Sequence, residues 1–323
     1  MDEVSEGYLF GMGNPLLDML WKADEDTYKS YGLNVDDAIL AEDKHMSIYT
    51  ELMKKPDVKY VAGGSTLNTV KMIQWILRKP LSCSFVGCIG ADRMGDRIEA
   101  ECRELGLETE FQTTKKPLET GKVAVLINGK NRSIVTYLGA ACDLTVQHVK
   151  QPRVWSLVER ARVFYIAVSL TMAKHATTFG KLFCFNLSAP FISKFYTKEV
   201  DEMISHAAHN LPNITVYAVA QHIASRPLAT RMKRNRLVII TRGKHPVVYV
   251  NSLDMKVHEF PVKTVESCQI VDTNGAGDAF AAGFIAEHIL SRPIVSSLES
   301  AVKAATYIIQ RSGFTLDARD SFM

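Results

Sequence analysis

Short apolar segments of strand length alternate along this chain with helical patterns, and glycine turns stand at the joins. Tyr8–Met12, Val58–Ala62, Ser82–Ile89, Val163–Ala167, Leu182–Asn186 and Leu237–Thr241 read as strands. Gly11 and Gly13, the pair Gly63-Gly64, and Gly90 stand at the ends of the first three. A helix follows Gly64, with Val70, Ile73 and Leu77 on its apolar face, and others are expected over Asp96–Leu105 and Ser297–Ile309. Parallel neighbours need long crossover connections, so this alternation predicts an α/β fold built on a mostly parallel sheet flanked by helices. One pair of strands is different. Thr120–Asn128 carries Val123, Val125 and Ile127 on one side, turns at Gly129-Lys130-Asn131, and returns as Arg132–Leu138, with Ile134, Thr136 and Leu138 sharing a face. Trp21–Leu33 and Lys44–Lys54 read as further helices.

The 323 residues give room for one large α/β domain or two smaller ones. A net charge of +3 is too small to suggest a nucleic-acid partner, and the basic run Arg231–Arg236 directly precedes a strand, as a solvated connector would. No apolar run reaches the roughly 18 residues that span a bilayer. Met1–Gly7 is acidic and lacks a signal-peptide pattern, so a cytoplasmic location is the default, with nuclear presence left open. None of the six cysteines forms Cys-x-x-Cys; Cys88 and Cys184 lie in apolar runs and are expected as buried thiols of a reducing compartment. His206 and His209 are three apart, which is read as exposed surface rather than a metal site.

The chemistry is concentrated in Val271–Gly283, which reads Val-Asp-Thr-Asn-Gly-Ala-Gly-Asp-Ala-Phe-Ala-Ala-Gly. Thr273 and Asn274 are good N-cap types, so a helix is expected from about Gly275, with Ala281, Phe284, Ile285 and Ile289 on one face. Free N–H groups and the positive end of the helix dipole favour an anion there, and Gly275 and Gly277 let backbone approach it. Asp278 falls in the first turn, where an acid is often only a dipole partner. Beside an anion hole, it could also take a proton from a hydroxyl attacking a phosphoryl group.

Asp-Thr-Asn-Gly-Ala-Gly-Asp at 272–278 resembles the C-terminal signature of the ribokinase-like (PfkB) carbohydrate and nucleoside kinases. The likeness implies that Asp278 is the general base and that Gly275, Ala276 and Gly277 form the anion hole. Gly11–Asp18, Gly-Met-Gly-Asn-Pro-Leu-Leu-Asp, fails as a dinucleotide fingerprint because Leu16 replaces the third glycine. It is similar instead to the adenosine-directed kinases of that family, which implies that Asn14 and Asp18 hold the nucleoside; a surface turn is the plainer role for Asp18. Gly63-Gly64-Ser65-Thr66-Leu67-Asn68 matches the other family signature, implying a sugar ring laid against Gly63 and Gly64 with Ser65 and Asn68 beside it. A tight turn alone would also use that glycine pair. The same likeness sets Ile134 and Leu138 against the nucleoside and brings Thr241, Gly243 and Asn274 to ATP. Arg132 would contact phosphate, or else be an exposed arginine at a strand end.

The resemblance covers nearly the whole chain and implies an adenosine-phosphorylating enzyme using ATP with Mg2+. A ribokinase-like sheet domain, residues 1–16, 63–115 and 142–323, would carry ATP, and a small β-rich lid, residues 17–62 and 116–141, would close over the sugar. Its partners would be adenosine and ATP, with no nucleic acid and no membrane, and it would act as a monomer. Two middle regions depart from the family. The loop after Ala167 is short, and Asn213-Ile214-Thr215-Val216 stands where the family has Asn-x-x-Glu. A valine holds no water on a metal, so a nucleoside-binding relative with little kinase activity stays open, as does a sugar kinase of the same family.

Overall fold

In this computed structural model the described residues are 4–35, 37–129, 131–166, 169–186, 216–226, 235–317, 319, 320 and 322. In chain order they form β1 (Leu9–Met12), β2 (Leu16–Lys22), α1 (Glu25–Ser30), β3 (Ala38–Leu40), α2 (Ser47–Leu52), β4 (Lys59–Gly63) and α3 (Ser65–Leu77). Next come β5 (Cys83–Ile89), α4 (Arg93–Glu104), β6 (Glu108–Thr113), β7 (Lys122–Asn128), β8 (Asn131–Tyr137), α5 (Val146–Val149) and α6 (Pro152–Arg160). β9 (Val163–Ile166), α7 (Leu170–Thr178), β10 (Leu182–Phe185) and α8 (Val216–Ser225) follow. The chain ends through β11 (Leu237–Arg242), β12 (His245–Asn251), β13 (Val257–Phe260), α9 (Ala276–Ile289) and α10 (Ile294–Ile309).

β10, β9, β1, β5 and β6 lie side by side in that order, every pair parallel. Successive residues of such strands point to opposite faces, and both faces are covered. Leu9, Phe85, Val163 and Tyr165 enter the core formed with α3, α9 and α10. Phe10, Val86, Phe164 and Ile166 enter a second core with α6 and α7. A mixed sheet, ordered β3, β8, β7, β2, β4, lies outside this layer pattern. On one of its faces Tyr28 and Tyr49 donate their hydroxyls to the Leu126 and Val135 carbonyls, fixing α1 and α2. The opposite face carries Leu16, Leu20, Val61, Val123 and Val125, with Ile134 and Leu138 packed against them. Asp18 alternates with Leu16 and Leu20, so it shares that face.

The strand-and-helix alternation appears as expected, and three expectations change. Trp21 and Lys22 end a strand rather than begin a helix; only Glu25–Ser30 of that stretch is helical. Leu16–Leu20 is buried on both sides, so it reads as an apolar run without the alternation that marks a strand. Leu237–Arg242, expected as a buried member of the parallel sheet, is mostly half-buried and pairs antiparallel with β12 in a sheet of β11, β12 and β13. The two central helices are enclosed rather than amphipathic: α3 is buried continuously from Thr66 to Ile76, and α9 buries Ala279, Phe280, Ala282 and Gly283 as well as Phe284, Ile285 and Ile289 of its expected stripe, with Ala281 half-buried. All six cysteines are free; Cys83, Cys88 and Cys102 are buried, Cys184 is half-buried, and Cys142 and Cys268 are exposed.

The contact between α9 and α10 is close because residue 283 has no side chain. A Cβ there would lie 2.6 Å from the Ser300 carbonyl oxygen and 2.9 Å from the Ala301 Cα. Backbone cannot yield as a flexible side chain would. Gly283→Ala should therefore lower stability by about 1–3 kcal/mol, although the same change in an open helix raises it by about 1 kcal/mol. Unfolding midpoints in urea give the sign, and a stabilised variant would contradict this packing.

Candidate active site

Two helix N-termini meet across the molecule. α3 begins after Gly64 and α9 after Gly275, both glycines at positive φ. Ser65 Oγ donates to one carboxylate oxygen of Asp278 at 2.7 Å, and Asn68 Nδ2 donates to the other at 3.1 Å. Ser65, Asn68 and Thr69 can act together because positions i, i+3 and i+4 share a helix face. Thr69 Oγ1 lies 3.2 Å from the Asp278 carbonyl and 3.3 Å from the Tyr165 hydroxyl. Tyr165 in turn accepts from Asn186 Nδ2 at 3.3 Å. The Asp278 carboxylate is thus set by α3, and its backbone is backed by β9.

Burial raises the Asp278 carboxyl from 3.8 to about 6, while the bonds from Ser65 and Asn68 hold it down. Asp18 is more enclosed, with 5% exposure. Burial raises it to about 7; Lys71 opposes the shift, and Asp278, Asp272 and Glu101 add to it. These are two carboxyls poised near neutrality and near enough that the charge of Asp278 raises Asp18, a pattern found at catalytic sites.

The glycines explain how Asp18 fits. A Cβ on Gly63 would stand 2.6 Å from the carboxylate carbon of Asp18, so that carboxylate lies directly against backbone. Gly64 has φ of +100°, and a Cβ there would be 2.2 Å from the Asn14 carbonyl oxygen. The Asn14 residue itself is exposed at the bend between β1 and β2. Ile134 and Leu138 are half-buried on the same sheet face as Asp18.

Asp272 organises the loop before α9. Its carboxylate accepts from the Asn274 N–H at 2.9 Å and the Gly313 N–H at 3.1 Å. Arg132 Nε stands 3.1 Å from the same carboxylate, and Arg132 Nη2 donates to the Val271 carbonyl. With 7% exposure Arg132 is buried and ion-paired, so the exposed strand-end alternative is excluded. Gly275, rather than Thr273 or Asn274, is the N-cap of α9, because the Asp272 carboxylate has already turned the chain there. The Ala276 N–H reaches the Thr273 carbonyl at a long 3.3 Å. A Cβ on Gly277 would meet nothing within 4 Å, which leaves open space over the first turn. First-turn N–H groups have no partner within a helix, so an anion can take them.

Not every expected site residue joins this group. Thr241 and Gly243 are exposed at the β11–β12 turn, where neighbouring Arg242 pairs with Glu259 at 2.8 Å. Val216 is the first residue of α8, whereas Asn213, His206, His209 and residues 231–234 lie outside the described residues. Among the described residues no cluster of three or more His, Cys, Asp or Glu could hold a metal. Sequence reasoning passed over Thr69, Tyr165, Asn186 and Lys71. Thr69 carries a signal, its spacing four residues after Ser65, but Tyr165 and Asn186 reach the site only through sheet order.

The two donors on Asp278 make a direct prediction. Ser65→Ala removes a hydrogen bond to the charged form, so the Asp278 pKa should rise from about 6 by about one unit or more. Carboxyl-carbon NMR titration reads this; an unmoved or lowered value would contradict the assigned contact.

Comparison with known proteins identifies the family. Residues 28–320 match the model of the pfkB family carbohydrate kinases. The chain is 34% identical to adenosine kinase 2 of Arabidopsis thaliana, over 98% of each chain. It is 37% identical to the adenosine kinase of Schizosaccharomyces pombe, over 88% of each. The adenosine kinase of Schistosoma mansoni, solved with adenosine in an occluded loop conformation, superimposes with a TM-score of 0.93 at 55% identity, covering 99% of this chain and 100% of that one. The strands, the two facing helix starts and these likenesses together place the chain in the pfkB family of carbohydrate kinases, within its adenosine-kinase branch.

Proposed function

We propose that the protein transfers the γ-phosphoryl group of ATP to the 5′-hydroxyl of adenosine, giving AMP and ADP. The observation that carries this reading is Asn68. Its Nδ2 is committed to Asp278, and its Oδ1 is buried with no hydrogen-bond partner. A buried acceptor left unpaired costs about 1–3 kcal/mol, and a sugar hydroxyl supplies the missing donor. Asp18 accepts further hydroxyls from the other side, beside the Gly63 backbone, with Asn14 at the edge of the pocket. Ile134 and Leu138 supply apolar surface for the base. A ribose held there presents its 5′-oxygen to Asp278, which removes the proton as attack begins. Backbone N–H groups of Gly275, Ala276 and Gly277, with Arg132 at the loop, face the charge that develops on the transferring group.

The mixed sheet is the lid in this reading. Residues 17–62 and 116–141 form it, and residues 1–16, 63–115 and 142–323 form the larger domain. The chain passes between the two sheets after β1, after β4, after β6 and after β8, which supports these bounds. Asn274, Thr241 and Gly243 are assigned to ATP. The described residues do not build a metal cage. Mg2+ is therefore assigned to the phosphates of the nucleotide, where it usually keeps several waters, and no step is routed through it. No described helix is long and apolar enough to cross a membrane. A cytoplasmic monomer remains the proposal for location and state.

A second reading, a nucleoside binder with little kinase activity, is motivated by Val216. Purified protein with adenosine, ATP and Mg2+ separates the two. AMP formation supports the kinase; adenosine binding without AMP supports the binder. Turnover of ribose or fructose in preference to adenosine would instead indicate a sugar kinase.

Three further outcomes are expected. Asp278→Asn should lower kcat by about 10²–10⁴-fold, and near-normal turnover would remove Asp278 from the base role. In the unaltered enzyme the base works only when deprotonated, so kcat should fall as pH drops through about 6 and level off above it. Gly63→Ala should displace the Asp18 carboxylate and raise KM for adenosine about tenfold or more; an unchanged KM would show that the sugar does not use that contact.

A further inference from the structure

Behind the Gly63-Gly64 turn lies a buried lysine that the chemistry above does not use. Lys71 is 5% exposed and its ammonium donates to the Ala62 carbonyl at 2.6 Å. The N–H of the same residue, Ala62, donates to Glu101 at 2.7 Å. Two residues back along β4, Arg97 donates to the Tyr60 carbonyl at 3.0 Å and to Glu101 at 3.1 Å. β4 is an edge strand of the mixed sheet, so its outer N–H and C=O groups need partners. Side chains from α3 and α4 supply them where another strand would. Ala62 pairs with Leu17, Val61 pairs with Asp18, and Gly63 presses on the Asp18 carboxylate. The clamp on Ala62 therefore sets the surface against which Asp18 rests.

Charge points the same way. Glu101, Asp272 and Asp278 all push Asp18 toward its neutral form, and Lys71 opposes them. Lys71 also faces Glu101 and Cys102, whose thiol burial holds at about 12 and therefore uncharged. A buried ammonium is costly unless it is paired and hydrogen-bonded, and Lys71 has the Ala62 carbonyl and the nearby acids Glu101 and Asp18 for that.

We infer that Lys71 is a positioning residue for nucleoside binding: it fixes the Ala62 peptide and supplies the positive charge that keeps Asp18 an acceptor for sugar hydroxyls. This rests on the reading of Asp18 as a sugar contact. It is independent of Asp278, which acts on kcat.

The test compares Lys71→Met, Asp18→Asn and the double variant between about pH 6 and about pH 8.5. Lys71→Met should raise KM for adenosine about tenfold or more near neutrality, with KM for ATP and kcat at saturating adenosine held within about twofold. The rise of that KM toward acid pH should begin at higher pH than in the unaltered enzyme, because Asp18 has lost its cation. In the Asp18→Asn background Lys71→Met should add nothing. A KM for adenosine that is unchanged, a pH profile that does not move, or effects that multiply in the double variant would overturn the inference. If Asp18→Asn alone leaves KM for adenosine unaltered, the reading of Asp18 fails instead. Glu101→Gln keeps the lysine and covers the case in which Lys71→Met does not fold. It removes one of the opposing acids, so the same KM rise should begin at lower pH; an unmoved or upward displacement also overturns the inference.

Discussion

The Asp278 carboxylate is held from outside its own helix. Ser65 and Asn68, both in the first turn of α3, donate to its two oxygens at 2.7 and 3.1 Å. Hydrogen bonds to a charged acceptor are stronger than neutral ones, and here they are half-enclosed. Their cost to basicity is offset by burial, which leaves the group at about 6 rather than far below it. A base in that range is mostly ionised near neutrality and still accepts a proton readily. Both helices must start in register for this to work. Each starts at a glycine with positive φ, and each is locked by core on nearly every side. The rigidity of the interior is thus transmitted to one carboxylate.

The mixed sheet completes the site from the opposite side, and a few polar contacts tie it to the parallel sheet. Arg132 on β8 pairs with Asp272, which shapes the loop leading to α9. Asp92 caps α4 through the Met94 and Gly95 N–H groups and also accepts from the Thr120 N–H at 2.7 Å, just before β7. Lys71 and Glu101 hold the edge of β4. Each of these contacts joins a helix or loop of one layer to a strand of the other or to the residues just before it. The residues assigned to the sugar in the proposed reaction therefore come from both layers: Asn68 and Asp278 from helix starts, Asp18 from a strand.

Much of this was legible in the chain. The glycine turns at 63–64 and 275–277 stand where local backbone geometry dictates the residue, so they mark the site directly. The helices after them were readable from composition, but their complete enclosure was not: a periodic stripe says which face is buried first, not that the others follow. Leu16–Lys22 escaped because a strand buried on both faces has no alternation to detect. Lys71 escaped because a buried lysine in a helix looks like any solvated one until the strand beside it is placed. Arg132 could be read two ways from its position, and only the neighbouring Asp272, far away in sequence, decides between them.

The central claim is that the unpaired Asn68 Oδ1 and the clasped Asp278 carboxylate define where a ribose sits. A crystal structure with adenosine bound tests it most directly. The account predicts a ribose hydroxyl at about 2.7–3.2 Å from Asn68 Oδ1, with the 5′-oxygen turned toward Asp278. A nucleoside bound with Asn68 Oδ1 still unpartnered and its 5′-oxygen turned away from Asp278 would contradict it.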